Sequence, residues 1–204
     1  MEMNVYDFDG TIYVGDTELS FFELIYEKLG TFPWKWNYKL HEWLASKRLM
    51  HKTKAREREY SFLRYVHNLD ELMEEYWKRN EKNVLDWYFD VRRPDDVIAS
   101  GTPAFILEPY IKKLGLEGRL VATDMDPKTG KVKGRFCVMD EKLDAFKRQF
   151  PGEKIEKFYS DSWNDRFLAD YAEQSFAIDK DYKQHDWKEY FDQHPEKQII
   201  PYEL

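Results

Sequence analysis

Five short apolar runs, most of them separated by helix-like segments, constrain the fold of this chain more than any other feature of its sequence. Strands that alternate with helices are typical of a parallel sheet with helices on both faces. We therefore predict a doubly wound α/β fold. The predicted strands cover residues 4–8, 96–99, 119–123, 155–160 and 175–178.

The segments between these strands carry helix and turn signals. Residues 103–114 and 141–149 have helical patterns, and Pro103 opens the first of them. Residues 125–136 contain the turn-rich stretch DPKTGKVKG between two β-capable ends, which predicts a hairpin. The polar tail from residue 180 onward has one possible short helix, around residues 185–193.

A long interval after the first strand has no convincing strand of its own. Apolar residues recur there at helical spacing in three groups. They are Leu19, Phe22, Ile25 and Leu29, then Trp36, Leu40, Trp43 and Leu44, then Leu69, Leu72, Met73, Tyr76 and Trp77. We therefore predict a helical subdomain at residues 17–91, inserted into a core domain of residues 1–16 and 92–204.

Composition excludes several functional classes. The formal net charge is −7, which argues against a general nucleic-acid binder because such proteins need a basic surface. Cys137 is the only cysteine, so the chain can form neither an internal disulfide nor a cysteine-based zinc site. No stretch approaches the ~20 apolar residues of a spanning helix, and the start of the chain lacks a signal-peptide pattern. These features predict a cytoplasmic protein without an integral membrane segment.

The first predicted strand ends in the motif Asp7-Phe8-Asp9-Gly10-Thr11. Gly10 permits a sharp turn there, because glycine tolerates backbone conformations that other residues avoid. Two carboxylates then stand at the carboxyl end of a central strand, where open α/β sheets bind their ligands. The alternative is an acidic turn after an edge strand.

Three further positions follow later in the chain. Ser100-Gly101 ends the second strand before a helix, and it either holds an anionic phosphate or merely caps the helix. Asp161 and Asp165 follow the fourth strand, where carboxylates suit Mg²⁺, although a capped helix start would give the same pattern. Lys142 follows the hairpin, and taken alone it would be a solvated charge.

Together these motifs resemble the haloacid dehalogenase superfamily, in particular its phosphoserine-phosphatase-like branch (subfamily IB). Residues 7–11 match the first motif, Ser100 the second and Lys142 the third. Tyr159-Ser160-Asp161-Ser162, with Asn164 and Asp165, matches the fourth. The form of this last motif and the position of Cys137 point to that branch. Arg166-Phe167 departs from the pair that often follows the last aspartate.

The resemblance implies a Rossmann-like core with a substrate-selecting cap and a role for each matched residue. Asp7 would attack phosphorus, and Asp9 would first protonate the leaving oxygen and then activate water. Mg²⁺ would be held by Asp7, the main-chain carbonyl of Asp9 and Asp161, with Asp165 acting through water. The residues that would bind the phosphoryl oxygens are Ser100, Gly101, Lys142 and Asn164.

The expected activity is that of a magnesium-dependent phosphatase acting on a small phosphorylated metabolite. Dehalogenation is disfavoured, since the dehalogenases of the family lack an acid/base at the position of Asp9. Two alternatives remain open at this stage. One is a phosphatase of a lipid head-group phosphate at a membrane surface, and the other is a non-catalytic binding protein on the same fold.

The inserted segment contains two candidate recognition features. Asp16 occupies the position of a glutamate that reads the substrate amine in phosphoserine phosphatases, but it would equally serve as a helix-start acid. Residues 32–36, Phe-Pro-Trp-Lys-Trp, are followed by a basic cluster of Lys47, Arg48, Lys52, Lys54, Arg56 and Arg58. This combination suits contact with anionic lipid. We favour the simpler interpretation, a helix pair with its rings packed inward and its charges in water.

Overall fold

A six-stranded sheet forms the centre of the computed structural model, which describes residues 2–29 and 34–195. The strands are β1 (Glu2–Tyr6), β2 (Val97–Pro103), β3 (Leu120–Thr123), β4 (Lys154–Ser160), β5 (Gln174–Ile178) and β6 (Gln184–Asp186). Their order is β3-β2-β1-β4-β5-β6, and only β6 runs antiparallel to its neighbour. The predicted doubly wound α/β fold is confirmed, and β1 lies between β2 and β4.

Helices cover both faces of this sheet. Outside the inserted segment they are α6 (Ala104–Lys113), α7 (Asp140–Gln149), α8 (Arg166–Tyr171) and α9 (Trp187–Gln193). One buried cluster packs Phe146 of α7 and Leu168 of α8 against Val5 and Ile155. The strands read as nearly continuous apolar runs because both of their faces are buried.

The segment between β1 and β2 is helical, as its periodicity predicts. It contains α1 (Thr17–Leu29), α2 (Trp34–Ser46), α3 (Lys52–Glu59), α4 (Leu69–Asn80) and α5 (Asp86–Val91), with 3-10 turns at Tyr60–Tyr65 and Glu81–Asn83. Its described residues form no strand, only isolated bridges of Tyr13 with Asp9 and with Val84. The division into a core and a subdomain at residues 17 and 91 stays a prediction.

Aromatic rings fill the space between this helical segment and the sheet. Phe21 and Tyr76 pack edge to face at 5.9 Å, and Trp77 stacks on Tyr110 of α6 at 4.6 Å. These residues belong to the same buried cluster as Tyr6 and Phe8, so the apolar interior is continuous from the sheet into the helices. Many of the described aromatic residues therefore belong to the core, because large rings bury much apolar area per residue.

Several local predictions need correction. Residues 125–136 reverse direction as predicted but form one antiparallel bridge, between Met125 and Val132, rather than two strands; the amide of Asp126 donates to the carbonyl oxygen of Lys131 at 2.8 Å and that of Lys133 to Asp124 at 2.7 Å. The predicted helix at 185–193 begins only at Trp187, since residues 184–186 pair with β5. Pro103 lies at the N-cap of α6.

No helix in the described part of the chain is long and apolar enough to cross a membrane.

Candidate active site

The carboxyl ends of β1, β2 and β4 meet at one edge of the sheet. Asp7 directly follows β1, Ser100 lies in β2, and Asp161 directly follows β4. The amide of Asp7 donates to the carbonyl oxygen of Tyr159 at 2.9 Å, which keeps β1 and β4 in register up to the site. Parallel pairing therefore brings together motifs that are far apart in the sequence.

Lys142 joins two of the predicted carboxylates. Its Nζ lies 2.8 Å from Asp7 Oδ1 and 2.8 Å from Asp165 Oδ2, and all three side chains are buried. Burial alone lowers the pKa of Lys142, but the carboxylates of Asp165 and Asp7 outweigh it and raise that pKa overall. The lysine is therefore a buried cation rather than a solvated charge.

The pKa of Asp7 is raised well above its usual range, mainly because the side chain is buried. The charge of Lys142 opposes this shift, whereas the nearby carboxylates of Asp165 and Asp161 add to it. Asp7 and Asp165 thus share one ammonium group, and the carboxylate of Asp161 lies near enough to feel its charge. This edge of the sheet carries an excess of negative charge that a cation would offset.

Thr11 links the first motif to the fourth. Its Oγ1 accepts from the amide of Asp161 at 3.0 Å and lies 3.4 Å from both Asp7 Oδ2 and Asp161 Oδ1. Gly10 adopts a φ of 74°, and a Cβ there would overlap the carboxylate of Asp161. Glycine is therefore required at this turn, since it combines left-handed backbone with close approach of a side chain.

The carboxylate of Asp9 accepts hydrogen bonds from a different set of residues. Its carboxylate accepts from the amide of Thr17 at 2.7 Å, the hydroxyl of Thr17 at 3.0 Å and the hydroxyl of Thr102 at 2.7 Å. Burial raises the pKa of Asp9 to about 7, against the lowering effect of the bonds from Thr102 and Thr17. The two aspartates of the first motif thus occupy different environments.

The second motif departs from the helix-cap interpretation. Ser100 is buried within β2, and its Oγ accepts from the amide of Thr102 at 3.1 Å, whereas α6 begins four residues later. Gly101 packs against the loop before α7, where an added Cβ would lie 3.1 Å from Val138 Cγ1. Asn164 is exposed, and its amide donates to Ser162 Oγ at 3.2 Å.

Asp16 behaves as a helix-start acid. Its Oδ1 accepts from the amide of Leu19 at 2.9 Å in the first turn of α1, and its side chain is exposed. This is the ordinary geometry of an N-terminal cap. Substrate contact by Asp16 stays a prediction.

The sequence matches the family model of haloacid dehalogenase-like hydrolases over residues 5–170. This match spans most of the chain and contains all four motifs. The chain belongs to the haloacid dehalogenase-like hydrolase family. No curated protein sequence matches it.

Two solved structures share the fold. A protein of unknown function from Bordetella pertussis Tohama I superposes with a TM-score of 0.74 at 18% identity, over 86% of this chain and 89% of that one. A phosphoserine phosphohydrolase-like protein from Francisella tularensis subsp. tularensis SCHU S4 gives a TM-score of 0.56 at 16% identity, over 87% of each chain. At such low identity these likenesses support the fold alone.

The family generally uses Mg²⁺, and the carboxylate oxygens at the strand ends of this hydrolase are donors that suit that ion. The described residues contain no ready group of three or more acidic, histidine or cysteine ligands. Mg²⁺ does not need one, because it usually binds one or two carboxylates and keeps several waters. Asp7 Oδ2 and Asp161 Oδ1 both lie near the hydroxyl of Thr11, so one oxygen of each carboxylate faces the same small region.

Four hydroxyl residues of the hydrolase site had no predicted role. Thr11 and Ser160 stand inside quoted motifs, and Ser160 Oγ donates to Asp165 Oδ2 at 2.8 Å. Thr102 follows the second motif by two residues, so the nearby Ser-Gly pair is a weak signal for it. Thr17 has no such signal, because only the fold of α1 brings it to Asp9.

Proposed function

We propose that this hydrolase is a magnesium-dependent phosphomonoesterase that acts through an aspartyl-phosphate on Asp7. The observation that carries the proposal is the hydrogen-bonded arrangement of Asp7, Lys142 and Asp165 at the strand ends, with Asp9 held separately two residues along. A nucleophile and an acid/base on one short turn are what a two-step phosphoryl transfer needs.

In the first step an oxygen of Asp7 attacks phosphorus, and the bond from phosphorus to the leaving oxygen breaks. Asp9 gives its proton to that oxygen, so the product leaves as an alcohol. In the second step water attacks the phosphorus of the aspartyl-phosphate, Asp9 takes a proton from the water, and Asp7 is released as a carboxylate with inorganic phosphate.

The hydrogen bonds around Asp9 support this division of roles. Thr17 and Thr102 fix its carboxylate, and their own hydroxyls lie 3.1 Å apart, so Asp9 starts from one defined orientation. Asp7 instead contacts Lys142, whose charge reduces the repulsion between a carboxylate and an approaching phosphate. Because Asp7 and Asp9 lie in different environments, one can act as the nucleophile and the other as the acid/base.

Mg²⁺ would be held by Asp7, Asp161 and the main-chain carbonyl of Asp9, with Asp165 contributing through water. When bound, the ion supplies positive charge that stabilises the transferring phosphoryl group. Ser100, Gly101, Lys142 and Asn164 would bind the phosphoryl oxygens. Asp165 also anchors the lysine, since both of its oxygens lie within 2.8 Å of Lys142 Nζ. The proposed substrate is a small phosphorylated metabolite of the cytoplasm.

Metal dependence and phosphoenzyme trapping test this proposal together. Hydrolysis of an aryl phosphate should stop with a chelator and return with added Mg²⁺. Rapid acid quench of a ³²P-labelled substrate should trap label on the protein, and Asp7→Asn should abolish both the label and turnover. Full activity in metal-free buffer, or near-normal turnover by Asp7→Asn, would overturn it.

A second candidate, hydrolysis of a lipid head-group phosphate at a membrane surface, is favoured by one observation. Trp36 and Trp43, the two rings of α2 whose side chains the structure describes, do not pack inward: Trp36 is 78% exposed, Leu40 and Trp43 are each 52% exposed, and Leu49 beyond the helix is 68% exposed. The favoured packed-pair interpretation is therefore wrong for these residues. Phe32 and Pro33 lie outside the described residues.

Charge favours an anionic membrane as the partner of this face. Residues 34–56 contain seven lysine or arginine residues and one glutamate, in a chain whose net charge is −7. Exposed aromatic rings beside basic side chains are typical of segments that lie on anionic lipid. Each basic contact near such a surface contributes ~1 kcal/mol and is screened by salt.

Co-sedimentation with vesicles separates the two candidates. Binding to phosphatidylserine-containing vesicles that weakens with salt, and that is lost in Trp36→Ser/Trp43→Ser, would favour the lipid candidate. Tyr65→Ser is the matched control, because Tyr65 is 72% exposed but lies outside α2. Absence of binding at low salt would reject the membrane surface, and concentration-dependent dimers without vesicle binding would instead assign the face to a second copy.

A further inference from the structure

A cavity of about 650 Å³ adjoins the candidate metal site on the side of β5 and β6. Its lining includes Gly10 and Asp161 of the site, and the turn between β5 and β6 contributes Asp179, Lys180 and Tyr182. None of the described residues of the helical segment lines it. The cavity is therefore a feature of the core, and we call it the β5–β6 cavity.

The carboxylate of Asp161 has capacity for partners that the described chain does not supply. Its Oδ1 lies 3.4 Å from Thr11 Oγ1, and its Oδ2 lies over Gly10, in the space that a Cβ would need. Among the described residues, no side chain other than that of Thr11 donates to Asp161. An ionised carboxylate has about four acceptor positions, so most of those on Asp161 are open to the cavity.

The turn between β5 and β6 is organised around Asp179. Its Oδ1 accepts from the amides of Asp181 at 2.8 Å and Lys183 at 2.9 Å, and its Oδ2 lies 3.0 Å from His185 Nε2. The amide of Tyr182 donates to the carbonyl oxygen of Asp179 at 2.9 Å. Because these bonds all converge on one residue, the turn holds Tyr182 in one backbone conformation.

Tyr182 pays for its place with backbone strain. Its φ is 58°, in the left-handed region that bulky residues seldom adopt and that glycine would occupy without strain. The ring is half-buried and packs against the main buried cluster, but the hydroxyl bonds to no described residue. Packing thus explains the ring and leaves the hydroxyl without a role. Strain of this kind concentrates at functional sites.

The hydroxyl of Tyr182 lies within the electrostatic reach of Asp161. The pKa of Tyr182 is raised, first by burial and second by the negative charge of the Asp161 carboxylate. No direct hydrogen bond joins the two side chains, so the gap between them suits bridging water. Mg²⁺ usually keeps several waters when one or two carboxylates bind it. An ion held by Asp161 would therefore share the β5–β6 cavity, through its waters, with Tyr182.

We propose that Tyr182 is a positioning residue of the magnesium site, whose hydroxyl accepts a hydrogen bond from a water molecule that the ion keeps. The proposal rests on the proposed function, because it takes Mg²⁺ to bind at Asp161. A phenol both accepts and donates, so the same hydroxyl can donate toward the carboxylate of Asp161. Loss of a partner that supports a metal site from beyond its direct ligands typically weakens metal binding by about 10–100-fold.

Metal titration without substrate tests the proposal. Mn²⁺ accepts the same carboxylate and water ligands, so its binding would be followed by the EPR signal of the free ion, and that of Mg²⁺ by calorimetry. Tyr182→Phe removes only the hydroxyl and keeps the packed ring. It should raise the Kd of both ions about ten-fold or more. The midpoint of urea unfolding in metal-free buffer should not change.

Two further variants calibrate the measurement. Tyr65→Phe is the matched control, because Tyr65 is 72% exposed and does not line the β5–β6 cavity, so the Kd should stay at its wild-type value. Asp161→Asn removes a proposed direct ligand of the ion. It should weaken binding of both ions more than Tyr182→Phe does.

The outcomes separate this proposal from the proposed function. An unchanged Kd in Tyr182→Phe, with binding weakened in Asp161→Asn, would overturn the role of Tyr182 and leave the metal site intact. A lower urea midpoint of metal-free Tyr182→Phe would assign the hydroxyl to folding and would overturn that role as well. An unchanged Kd in Asp161→Asn would instead mean that the ion binds elsewhere, and the metal site of the proposed function would fail.

Discussion

At the edge of the sheet, the charged side chains of Asp7, Lys142 and Asp165 are buried, whereas on α2 the rings of Trp36 and Trp43 are exposed. Both regions thus invert the usual partition of polar and apolar groups. At the sheet edge the charges compensate one another through bonds of 2.8 Å. On α2 nothing in the described chain compensates the exposed rings, so the two inversions have different consequences for substitution.

After the loss of turnover expected for Asp7→Asn, the next largest effect is expected for Asp9→Asn. The substitution keeps the shape of the side chain but removes the proton that the leaving oxygen needs, so turnover should fall by about 10²–10⁴-fold. Asp7 should still bind beryllium fluoride with Mg²⁺, which ¹⁹F NMR would detect. Near-normal turnover would show that Asp9 is not the acid/base. Substitution at the sheet edge would then have no larger consequence than substitution on α2.

Lys142→Met should strongly destabilise the folded state. It leaves Asp7 and Asp165 buried without their shared cation, and breaking a buried ion pair costs about 3–5 kcal/mol. Urea unfolding in metal-free buffer measures the loss. Lys142→Met/Asp165→Asn should recover part of it by removing one of the orphaned charges. An unchanged free energy of unfolding would mean that the lysine is not buried as described.

Asp96→Asn tests a buried carboxylate far from the strand ends that carry the site. Asp96 precedes β2, accepts from the amide of Arg93 at 2.6 Å, and lies near Tyr6, Tyr88 and Tyr159. Burial raises its pKa from 3.8 to about 6, although the guanidinium of Arg93 opposes the shift. The folded state therefore holds its proton to higher pH than the unfolded chain does.

The sign of the effect follows from that difference. The free energy of unfolding should fall as pH rises from about 4 to about 6, and the asparagine variant lacks this loss. Relative to wild type, Asp96→Asn should therefore gain about 1–2 kcal/mol between pH 4 and pH 7.5. Urea unfolding of both proteins at the two pH values measures the gain. A constant difference would show that the carboxylate stays ionised throughout.

The smallest effect is expected on α2. Trp36→Ser and Trp43→Ser should each change the free energy of unfolding by less than about 0.5 kcal/mol, because exposed side chains contribute little to stability. Trp77→Ala is the internal control, since Trp77 is buried against Tyr110 and truncation of such a ring costs about 3–5 kcal/mol. A large loss in the free energy of unfolding at Trp36 or Trp43 would mean that these rings are buried rather than exposed.

Elements with strong local patterns were predictable from the sequence. The buried residues of α4 repeat at helical spacing, and each of the five predicted strands is present with its bounds shifted by a few residues. The strand β6 escaped prediction because residues 184–186 are polar and extend only by pairing with β5. Inward packing was wrongly predicted for Trp36 and Trp43 of α2, since periodicity identifies an apolar face but not what covers it.

The sequence by itself determined the sheet, the helical insertion and the four motifs that bear the candidate chemistry, because these depend on periodicity and on short covalent spacings. Only the tertiary structure decided which side chains meet. Lys142 reaches Asp7 across 135 positions and Thr102 reaches Asp9 across 93, and no local pattern encodes such contacts. Parallel pairing of β2, β1 and β4 brings these residues to one edge, so the burial of Lys142 and the orientation of Asp9 follow from the packing of the whole fold.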